Sequence, residues 1–434
     1  MPRQRTRIPL NVYLNGRLTG QLKRETSGAI DFQYDPSWLD WGHTFPISFS
    51  LPLREDHYVG DPVIAVFDNL LPDDEGMCRR VAAKTHADGI DAYSLLAVIG
   101  RDCVGALQFL PEGINPGPAG AVDSDILSDA RIAEMLIALE DAPLGLGEDE
   151  DFRISLAGMQ EKTALLYLDN TWRIPHGSTA TTHIIKPQIG RRGDVDLTQS
   201  VENEYLCMQI LIALGLPTAA TKIADFDDQR ALVIERFDRR WTSDDRLLRL
   251  PQEDCCQALS VPPSRKYQVD GGPGIVDILE FLKGSDNPEE DQAFFMKSQI
   301  AFWLMAATDG HAKNFSVFLY PGGGFRLTPL YDVMSTQPLF DAGQLRRSQM
   351  RLAMSVGDNR HYRVHDIMPR HFLQLAAKAG MPGFAVTEII DQLRIQMPLA
   401  IDAVCDVLPL SFPEQLRKSI MGGILSRLRR LDNK

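Results

Sequence analysis

One stretch of sequence decides how the rest of the chain is interpreted: Trp303-Leu304-Met305-Ala306-Ala307-Thr308-Asp309-Gly310-His311-Ala312-Lys313-Asn314, followed by Tyr331-Asp332. An apolar, helix-like run ends in a polar segment in which Asp309 and Asn314 are five residues apart, and a second apolar run ends at Asp332. Phosphoryl transfer needs such a set, because one carboxylate accepts a proton while an amide oxygen and a further carboxylate hold magnesium ions. The D-x-x-x-x-N spacing occurs in kinase catalytic loops, although alone it is a weak signal.

Segments upstream supply further groups that phosphoryl transfer uses. The small residues of the turn 157–162 could bring backbone N–H groups close to phosphate oxygens, although an ordinary hairpin has the same pattern. Lys186 ends a β-branched run, where a kinase lysine contacts phosphates and pairs with a helix glutamate. Glu204 is a plausible partner one helix later, and Glu202 is the alternative. Without further context, a solvent-facing edge-strand lysine is the more common interpretation.

Each of these segments, taken alone, is more often an ordinary structural feature, but their occurrence together and in this order favours a kinase. The strand-like run Ala231–Phe237 leads toward a helical half and could offer backbone groups to adenine, although plain core is more common. The chain supplies six parts in the order found in kinases. They are the glycine turn, the lysine, the glutamate, the strand, the D-x-x-x-x-N segment and the final aspartate. His311 and Lys313 could contact phosphate, and His311 could also be a structural histidine.

Composition limits the class of protein. A chain of 434 residues predicts two or three domains, and 44% hydrophobic with 24% charged residues is typical of a soluble globular protein. No apolar run approaches the roughly 18 residues that span a bilayer, and no signal peptide follows Met1, so we predict no membrane association and a cytoplasmic location. The net charge of -13 argues against strong autonomous nucleic-acid binding. The six cysteines lack C-x-x-C spacing, which favours buried thiols over zinc or disulfides.

The pattern along the chain predicts a β-rich N-terminal module, a small α+β middle and a helical C-terminal half, with boundaries at 1–150, 151–237 and 238–434. Asn15-Gly16 predicts a hairpin within residues 9–22. The alternating run Ile47–Leu51 predicts a further strand, ended by Pro52. The acidic run Glu148–Asp151 is interpreted as a solvated loop.

At this point the sequence resembles the HipA family, the kinase toxins of HipBA toxin–antitoxin pairs, over almost its full length. The resemblance is carried by the following runs: Phe67–Pro72, Ile99–Ala106, Ile154–Leu166, His183–Lys186, Ser200–Tyr205, Glu235–Trp241, Leu250–Asp254, Asp270–Gly274 and Ala307–Phe315. It implies an α+β, bilobal protein-kinase-like fold. The β-rich N-terminal lobe would carry an extra N-terminal subdomain, and the C-terminal lobe would be all-helical.

The resemblance also implies a Ser/Thr kinase that uses ATP and Mg²⁺. Asp309 would be the catalytic base, Asn314 and Asp332 would hold magnesium, and Lys186 would contact the phosphates. The implied ATP-binding set comprises Ala157, Gly158, Met159, Gln160, Glu161, Lys162, Lys186, Glu235, Arg236, Phe237, His311, Ala312, Lys313, Asn314, Tyr331 and Asp332. Within it, residues 157–162 would form the phosphate loop, and Glu235 and Phe237 would flank adenine.

Regulation and partners are likewise implied by the resemblance. Ser155 occupies the place of a serine whose autophosphorylation ejects the phosphate loop, and a doubly charged phosphate could not easily share a pocket with ATP. A small helix-turn-helix antitoxin (HipB-like) would restrain the kinase and bind operator DNA. The implied protein substrate is glutamyl-tRNA synthetase, whose phosphorylation would arrest growth. Direct DNA contact is doubtful, since only Lys378 matches the expected basic positions.

Two rival functions remain at this stage. The chain could be a corepressor that bridges antitoxin dimers on DNA and whose ATP pocket is structural. It could also be a kinase of small molecules. The complete set of catalytic positions argues against a dead kinase.

Overall fold

The computed structural model describes residues 8–146 and 152–432. The basic segment 1–7 and the predicted acidic loop Glu148–Asp151 lie outside the described residues, as does the predicted boundary at 150.

The N-terminal module is an antiparallel sheet covered by helices. Its strands are β1 (Leu10–Leu14), β2 (Arg17–Arg24), β3 (Ile30–Tyr34), β4 (Tyr58–Val59) and β5 (Leu107–Pro111), in the order β4-β3-β2-β1-β5. Its helices are α1 (Pro36–Leu39), α2 (Asp61–Asp68), α3 (Glu75–Thr85) and α4 (Ala92–Ile99). The predicted hairpin is confirmed, because β1 pairs with β2 around Asn15 and Gly16, whose φ values are 47° and 79°. Those left-handed angles are the ones that a two-residue hairpin turn needs.

The predicted strand at Ile47–Leu51 is wrong. This segment lies in turns and makes no ladder. Its apolar residues contact other parts of the protein instead: the ring of Phe49 packs against Phe281 and Phe325, and its N–H donates to Glu253. The alternating pattern therefore reflects packing onto the C-terminal lobe.

The N-terminal lobe is built on a six-stranded sheet, and two helices lie between strands of this sheet in the sequence. The strands are β6 (Ser124–Ile126), β7 (Thr163–Leu168), β8 (Thr171–Pro175), β9 (His183–Pro187), β12 (Thr221–Phe226) and β13 (Gln229–Glu235), in the order β12-β13-β9-β7-β8-β6. The hairpin β10 (Gly190–Arg192) and β11 (Val195–Leu197) and the helices α5 (Asp129–Ile137) and α6 (Ser200–Ala213) complete the lobe. Because β6 and α5 belong to this sheet and its core, the lobe begins earlier than the predicted boundary at 150.

The C-terminal lobe is predominantly helical, as predicted. Its helices are α7 (Cys255–Ala258), α8 (Ile275–Leu282), α9 (Pro288–Met305), α10 (Gln337–Asp341), α11 (Pro369–Ala379), α12 (Gly383–Val407) and α13 (Glu414–Leu428). "All-helical" needs one correction, because three small sheets interrupt the helices. They are formed by β14 (Arg239–Trp241) with β15 (Leu247–Arg249), by β16 (Gln252–Asp254), β17 (Ser316–Leu319) and β18 (Phe325–Leu327), and by β19 (Arg351–Val356) with β20 (His361–Arg363).

A continuous hydrophobic core joins the three parts. Phe32 of the N-terminal module, Leu211 of α6 and Trp303 of α9 belong to the same buried cluster. The N-terminal module therefore packs against both lobes and borders the cleft between them. Within the described ranges, no helix is both long and apolar enough to cross a membrane.

Candidate active site

A cleft of about 730 Å³ lies where the two lobes and the N-terminal module meet. This volume is in the range of nucleotide-sized ligand sites. Asp309 lines it, and so does every residue of the predicted ATP-binding set except Ala312, whose side chain is fully buried behind the cleft wall. Ala312 belongs to the implied ATP-binding set, but its side chain does not line the cleft.

Lys186 borders the cleft and makes two ion pairs. Its Nζ is 2.8 Å from Glu204 Oε1 and 2.6 Å from Asp332 Oδ1. Burial alone would lower the pKa of Lys186, but Asp332 and Glu204 outweigh it and raise the pKa above its ordinary value. Glu204 is thus the partner, whereas Glu202 pairs with Arg230 at 3.1 Å. Lys186 is held rigidly because β9 lies between β13 and β7.

The segment after α9 carries Asp309 at the surface of the cleft. Ala306 ends the helix in a left-handed conformation (φ 51°), which turns the chain toward the cleft. Tyr267 Oη donates to Asp309 Oδ1 at 2.6 Å, and Asn314 Nδ2 donates to the main-chain oxygen of Asp309 at 2.9 Å. Desolvation by the surrounding cleft raises the pKa of Asp309 to about 6, partly offset by the Tyr267 hydrogen bond. The carboxylate is therefore ionised at neutral pH yet basic enough to accept a proton.

Asp332 adopts a strained backbone for a residue with a side chain, with φ at 60°. Such strain is concentrated at functional sites. Burial would raise the pKa of Asp332, but Lys186 and Lys162 outweigh it and hold the pKa well below its usual range. Its side chain is 34% exposed, toward the cleft, so an ionised carboxylate faces the space where a ligand would lie.

The donor set suits Mg²⁺ rather than a metal held by protein alone. Within the described residues there is no group of three or more His, Cys, Asp or Glu side chains with metal-ligand geometry. Mg²⁺ is usually bound by one or two protein oxygens with phosphate and water oxygens completing its shell. Asp332 and the carbonyl end of Asn314, whose amide end is held by Asp309, match that requirement. The buried His311 Nδ1, which has no hydrogen-bond partner, is a further polar atom left for a ligand or its water.

The turn 157–162 is closed by its own lysine. Lys162 Nζ donates to the main-chain oxygen of Ala157 at 2.7 Å. At Gly158 φ is 106°, a backbone conformation that residues with a side chain rarely adopt, so the position favours glycine. Burial and the nearby Lys186 lower the pKa of Lys162 to about 8.

Ser155 does not face the cleft. Its side chain is fully buried, its Oγ donates to the Leu70 main-chain oxygen at 2.7 Å, and its N–H donates to Asp102 at 2.9 Å. The residue thus anchors the start of the phosphate-loop segment against the N-terminal module.

The strand end 235–237 contributes less than its sequence suggests. Arg236 borders the cleft, but its guanidinium turns away and binds Asp238, Thr181 and Asp102. Only its main chain is left to meet a nucleotide, which is the kind of contact that the sequence suggested for this strand. Glu235 is exposed, and the ring of Phe237 packs 5.8 Å from that of Tyr331. Lys378 lies on α11 and pairs with Asp358 at 3.0 Å.

Three residues at the site were missed from the sequence: Asp73 and Lys266, which border the cleft, and Tyr267, which contacts Asp309. Tyr267 contacts Asp309, as described above, and its ring packs edge-on against His311. Asp73 of the N-terminal module lies 2.6 Å from Lys313 Nζ and 2.7 Å from Lys266 Nζ. The sequence hinted at their role only through their position: Asp73 follows the run Phe67–Pro72, and Lys266 and Tyr267 precede the run Asp270–Gly274.

The comparisons with known proteins agree with this arrangement. Residues 10–110 match the HipA N-terminal domain and residues 154–401 the HipA-like C-terminal domain. The chain is 37% identical to Y4mE of Sinorhizobium fredii over 75% of this chain and 77% of that protein. It is 27% identical to the serine/threonine-protein kinase toxin HipA of Shewanella oneidensis, over 93% and 90% of the two chains.

A solved structure agrees at the level of the fold. The HipA chain in the Shewanella oneidensis complex of HipA, HipB and operator DNA superposes with a TM-score of 0.81 at 23% identity, covering 98% of both chains. The two domain matches and the relative at 37% identity place the chain in a family: this protein belongs to the HipA family.

Proposed function

We propose that this protein is an ATP- and Mg²⁺-dependent Ser/Thr protein kinase that acts as the toxin of a toxin–antitoxin pair. The observation that carries the proposal is the pair of contacts from Lys186 to Glu204 and Asp332, in the same cleft as Asp309. This set joins a phosphate-binding cation, a metal-binding carboxylate and a base. Membership of the HipA family supports it.

The roles follow from the charges. Asp309, with a pKa of about 6, accepts the proton of the substrate hydroxyl, and its fixed Oδ1 leaves Oδ2 for that proton. Lys186 and Lys162 supply positive charge on the phosphate side. Asp332 and Asn314 would hold the magnesium. Bound Mg-ATP supplies the transferable γ-phosphoryl group.

Adenine would lie between the strand end at Glu235 and Phe237 and the opposite wall of the cleft. Both residues border the cavity, and the main chain of Arg236 runs between them. The turn 157–162 would cover the phosphates. Apolar side chains such as Ile234, which also borders the cleft, provide the dry surface that an adenine ring needs.

Autophosphorylation at Ser155 is proposed as the off-switch. The hydroxyl is buried on Leu70, so it reaches the base only if its segment leaves this position. A phosphate group of about two negative charges would not fit back beside a main-chain carbonyl. The phosphorylated segment would then stay displaced and leave the phosphate loop unformed.

The proposed partners are those of the family. A HipB-like helix-turn-helix antitoxin would bind the protein and carry most of the contact with operator DNA, consistent with a net charge of -13. The proposed acceptor is a serine of glutamyl-tRNA synthetase. Phosphorylation of that enzyme would stop translation and arrest growth.

Purified protein incubated with radiolabelled ATP and glutamyl-tRNA synthetase tests the activity. Wild type should label the acceptor, and Asp309→Asn should reduce the rate by at least about 10³-fold, because the base is lost. Asp228→Asn, in an exposed turn, is the matched control. Ser155→Ala should retain acceptor labelling but lose self-labelling. Labelling by Asp309→Asn at the wild-type rate would refute the base assignment.

Expression in cells separates the toxin from the corepressor. Wild type should stop growth in the absence of antitoxin, whereas Asp309→Asn should be harmless. Equal, harmless expression of both proteins would favour the corepressor.

A further inference from the structure

One short segment of the N-terminal module contacts both sides of the cleft. We name residues Asn69–Asp73 the clamp segment. It follows α2 and precedes α3, and it lies between the phosphate loop of the N-terminal lobe and the catalytic loop of the C-terminal lobe.

On the N-lobe side, the clamp segment binds the phosphate-loop segment through its main chain. The Leu70 oxygen accepts from Ser155 Oγ at 2.7 Å. Pro72 forms a parallel bridge with Gly158, and the Asp73 N–H donates to the Gly158 oxygen at 3.2 Å. The loop is thus attached to the N-terminal module at both Ser155 and Gly158.

On the C-lobe side, the same segment binds the catalytic loop and the neighbouring residues Val261 and Lys266, mainly through side chains. Asp73 Oδ1 pairs with Lys313 Nζ at 2.6 Å, and Asp73 Oδ2 pairs with Lys266 Nζ at 2.7 Å. The main-chain oxygen of Asn69 also accepts from Lys313 Nζ at 3.2 Å, and Asn69 Nδ2 donates to the main-chain oxygen of Val261 at 2.9 Å. Lys313 directly precedes Asn314, which holds the main chain of Asp309.

These contacts are buried and charged. The side chains of Asp73, Lys313 and Lys266 are 5%, 3% and 7% exposed. Burial would raise the pKa of Asp73, but Lys313 and Lys266 lower it to about 2, so the carboxylate is ionised. A buried charge of this kind resists displacement, because removing it from its partners leaves them uncompensated.

We propose that the clamp segment holds the phosphate loop and the catalytic loop in register, and that Asp73 is a positioning residue for phosphoryl transfer. The effect on transfer rests on the proposed kinase function, whereas the mechanical link between the loops does not. The extra N-terminal module thereby becomes a working part of the kinase site. Displacement of Ser155 from Leu70 removes one anchor of the clamp segment and loosens the catalytic loop through Asp73.

Hydrogen–deuterium exchange of the full chain without nucleotide tests the mechanical link. Asp73→Asn weakens the lysine contacts but keeps the N–H that binds Gly158. In a variant that is otherwise folded, faster exchange in residues 153–162 therefore reports movement of the clamp segment. We expect exchange in both 153–162 and 308–316 to rise roughly tenfold or more. Glu75→Gln removes an exposed acid in the same module and should leave both segments unchanged. A rise confined to 308–316 would overturn the link.

A charge-balanced variant guards against a failure to fold. Asp73→Asn leaves two buried lysines without their carboxylate, whereas Asp73→Asn combined with Lys266→Met restores the net charge of the trio. The double variant should melt as a cooperative protein and still show faster exchange in both segments. If it folds with wild-type exchange in both segments, the clamp is refuted.

Kinetics on the folded double variant test the positioning role. Because a small misplacement of catalytic groups costs about 10²-fold, kcat should fall by that order. The KM for ATP should rise several-fold as well, which a mere loss of folded protein does not cause. A kcat and a KM for ATP that both stay at the wild-type values would refute positioning. If the wild type transfers no phosphate at all, the proposed function fails while the exchange result still decides the mechanical link.

Discussion

Two buried ionic clusters lie within the same molecule and differ in what they can do. The arginine cluster comprises Asp102, Arg236, Asp238, Arg239 and Arg249 and joins the N-terminal module to the two lobes. The lysine cluster comprises Lys186, Glu204 and Asp332 and lies in the cleft. Both contain ion pairs of similar length, but the side chain of Asp332 is 34% exposed, whereas those of the arginine cluster are at most 4% exposed.

The arginine cluster is almost fully buried, although Arg236 and Asp238 contribute to the wall of the cleft. The side chains of Asp102 and its three arginines are each 2% exposed, and Thr181 supplies two further donors to Asp102. Burial would raise the pKa of Asp102, but Arg239, Arg249 and Arg236 outweigh it and hold it well below its usual range. A guanidinium has fixed donors and does not lose its proton, so this arrangement suits a permanent joint.

The lysine cluster has one open side, at Asp332. A lysine ammonium is a point charge on a flexible chain and can accept a new anionic partner without a fixed fork geometry. Burial raises the pKa of Glu204, so this carboxyl can take up a proton when its partner is removed. The same chemistry therefore forms a joint where it is enclosed and a candidate site where it is open.

The largest effect is expected when the arginine cluster loses its acceptor. Asp102→Ala should lower the free energy of unfolding by about 3–5 kcal/mol, because three buried arginines lose their carboxylate. Urea denaturation measures the change. Asp125→Ala, whose side chain is 83% exposed, is the matched control and should cost less than about 1 kcal/mol. A similar, small cost for both variants would remove the distinction between the clusters.

Loss of Lys186 should affect activity more than stability. Lys186→Met should lower the rate of phosphoryl transfer by about 10²–10³-fold, as for other groups that stabilise developing charge. The free energy of unfolding should fall by less than for Asp102→Ala, because Glu204 can neutralise itself. Lys222→Met, at an exposed lysine of the same sheet, should keep wild-type activity. Full activity in Lys186→Met would show that the lysine cluster is structural as well.

A substitution at Tyr267 tests whether a neutral hydrogen-bond donor also positions Asp309 in the cleft. Tyr267→Phe keeps the ring against His311 but removes the hydrogen bond to Asp309 Oδ1. Hydrogen bonds to charged groups contribute about 1.5–3 kcal/mol, so kcat should fall roughly 10- to 100-fold. Steady-state kinetics measure this, with Tyr320→Phe at an exposed tyrosine as the control. An increase in kcat would mean that the phenol blocks the base.

The smallest effect is expected at Glu253, a buried carboxyl group that has no arginine partner among the residues that the structure describes, and it is a change in how stability depends on pH. Glu253 accepts from the Phe49 N–H, and burial raises its pKa from 4.5 to about 8. The folded protein therefore binds one more proton than the unfolded chain between these values, so its stability falls as pH rises through this window.

Glu253→Gln cannot ionise and should lose this dependence. From pH 6.5 to 7.5 it should gain about 1.4 kcal/mol relative to wild type. Thermal or urea denaturation at both pH values measures the difference, and Glu55→Gln at an exposed position serves as the control. Parallel pH profiles for wild type and Glu253→Gln would contradict a protonated Glu253.

Local patterns predicted much of the backbone. Asn15-Gly16 specifies a hairpin because two left-handed residues match the twist of the flanking strands. The strand prediction for Ile47–Leu51 was wrong because an alternating pattern indicates only that one face of a segment is buried. It does not indicate whether that face packs against another strand or against a distant lobe. Here the covering groups lie at Phe281 and Phe325, more than 200 residues away in sequence.

The partners of the charged residues were less predictable. Glu202 and Glu204 are two positions apart on one helix, so they face in nearly opposite directions, since each residue advances about 100°. Only the packing of α6 against the sheet brings Glu204 to Lys186 and Glu202 to Arg230. Arg236 likewise borders the cleft, yet the position of Asp102 turns its guanidinium away.

The sequence by itself determined the order of the chemistry-bearing residues, from the glycine turn through Lys186 and Asp309 to Asp332, because spacing and helix or strand periodicity are properties of neighbouring residues. The tertiary structure alone decided that the N-terminal module reaches into the cleft, where Asp73 binds Lys313 and Lys266. It also decided that Tyr267 holds Asp309. Those contacts join residues far apart in the chain, and they exist only because a continuous core packs the module against both lobes.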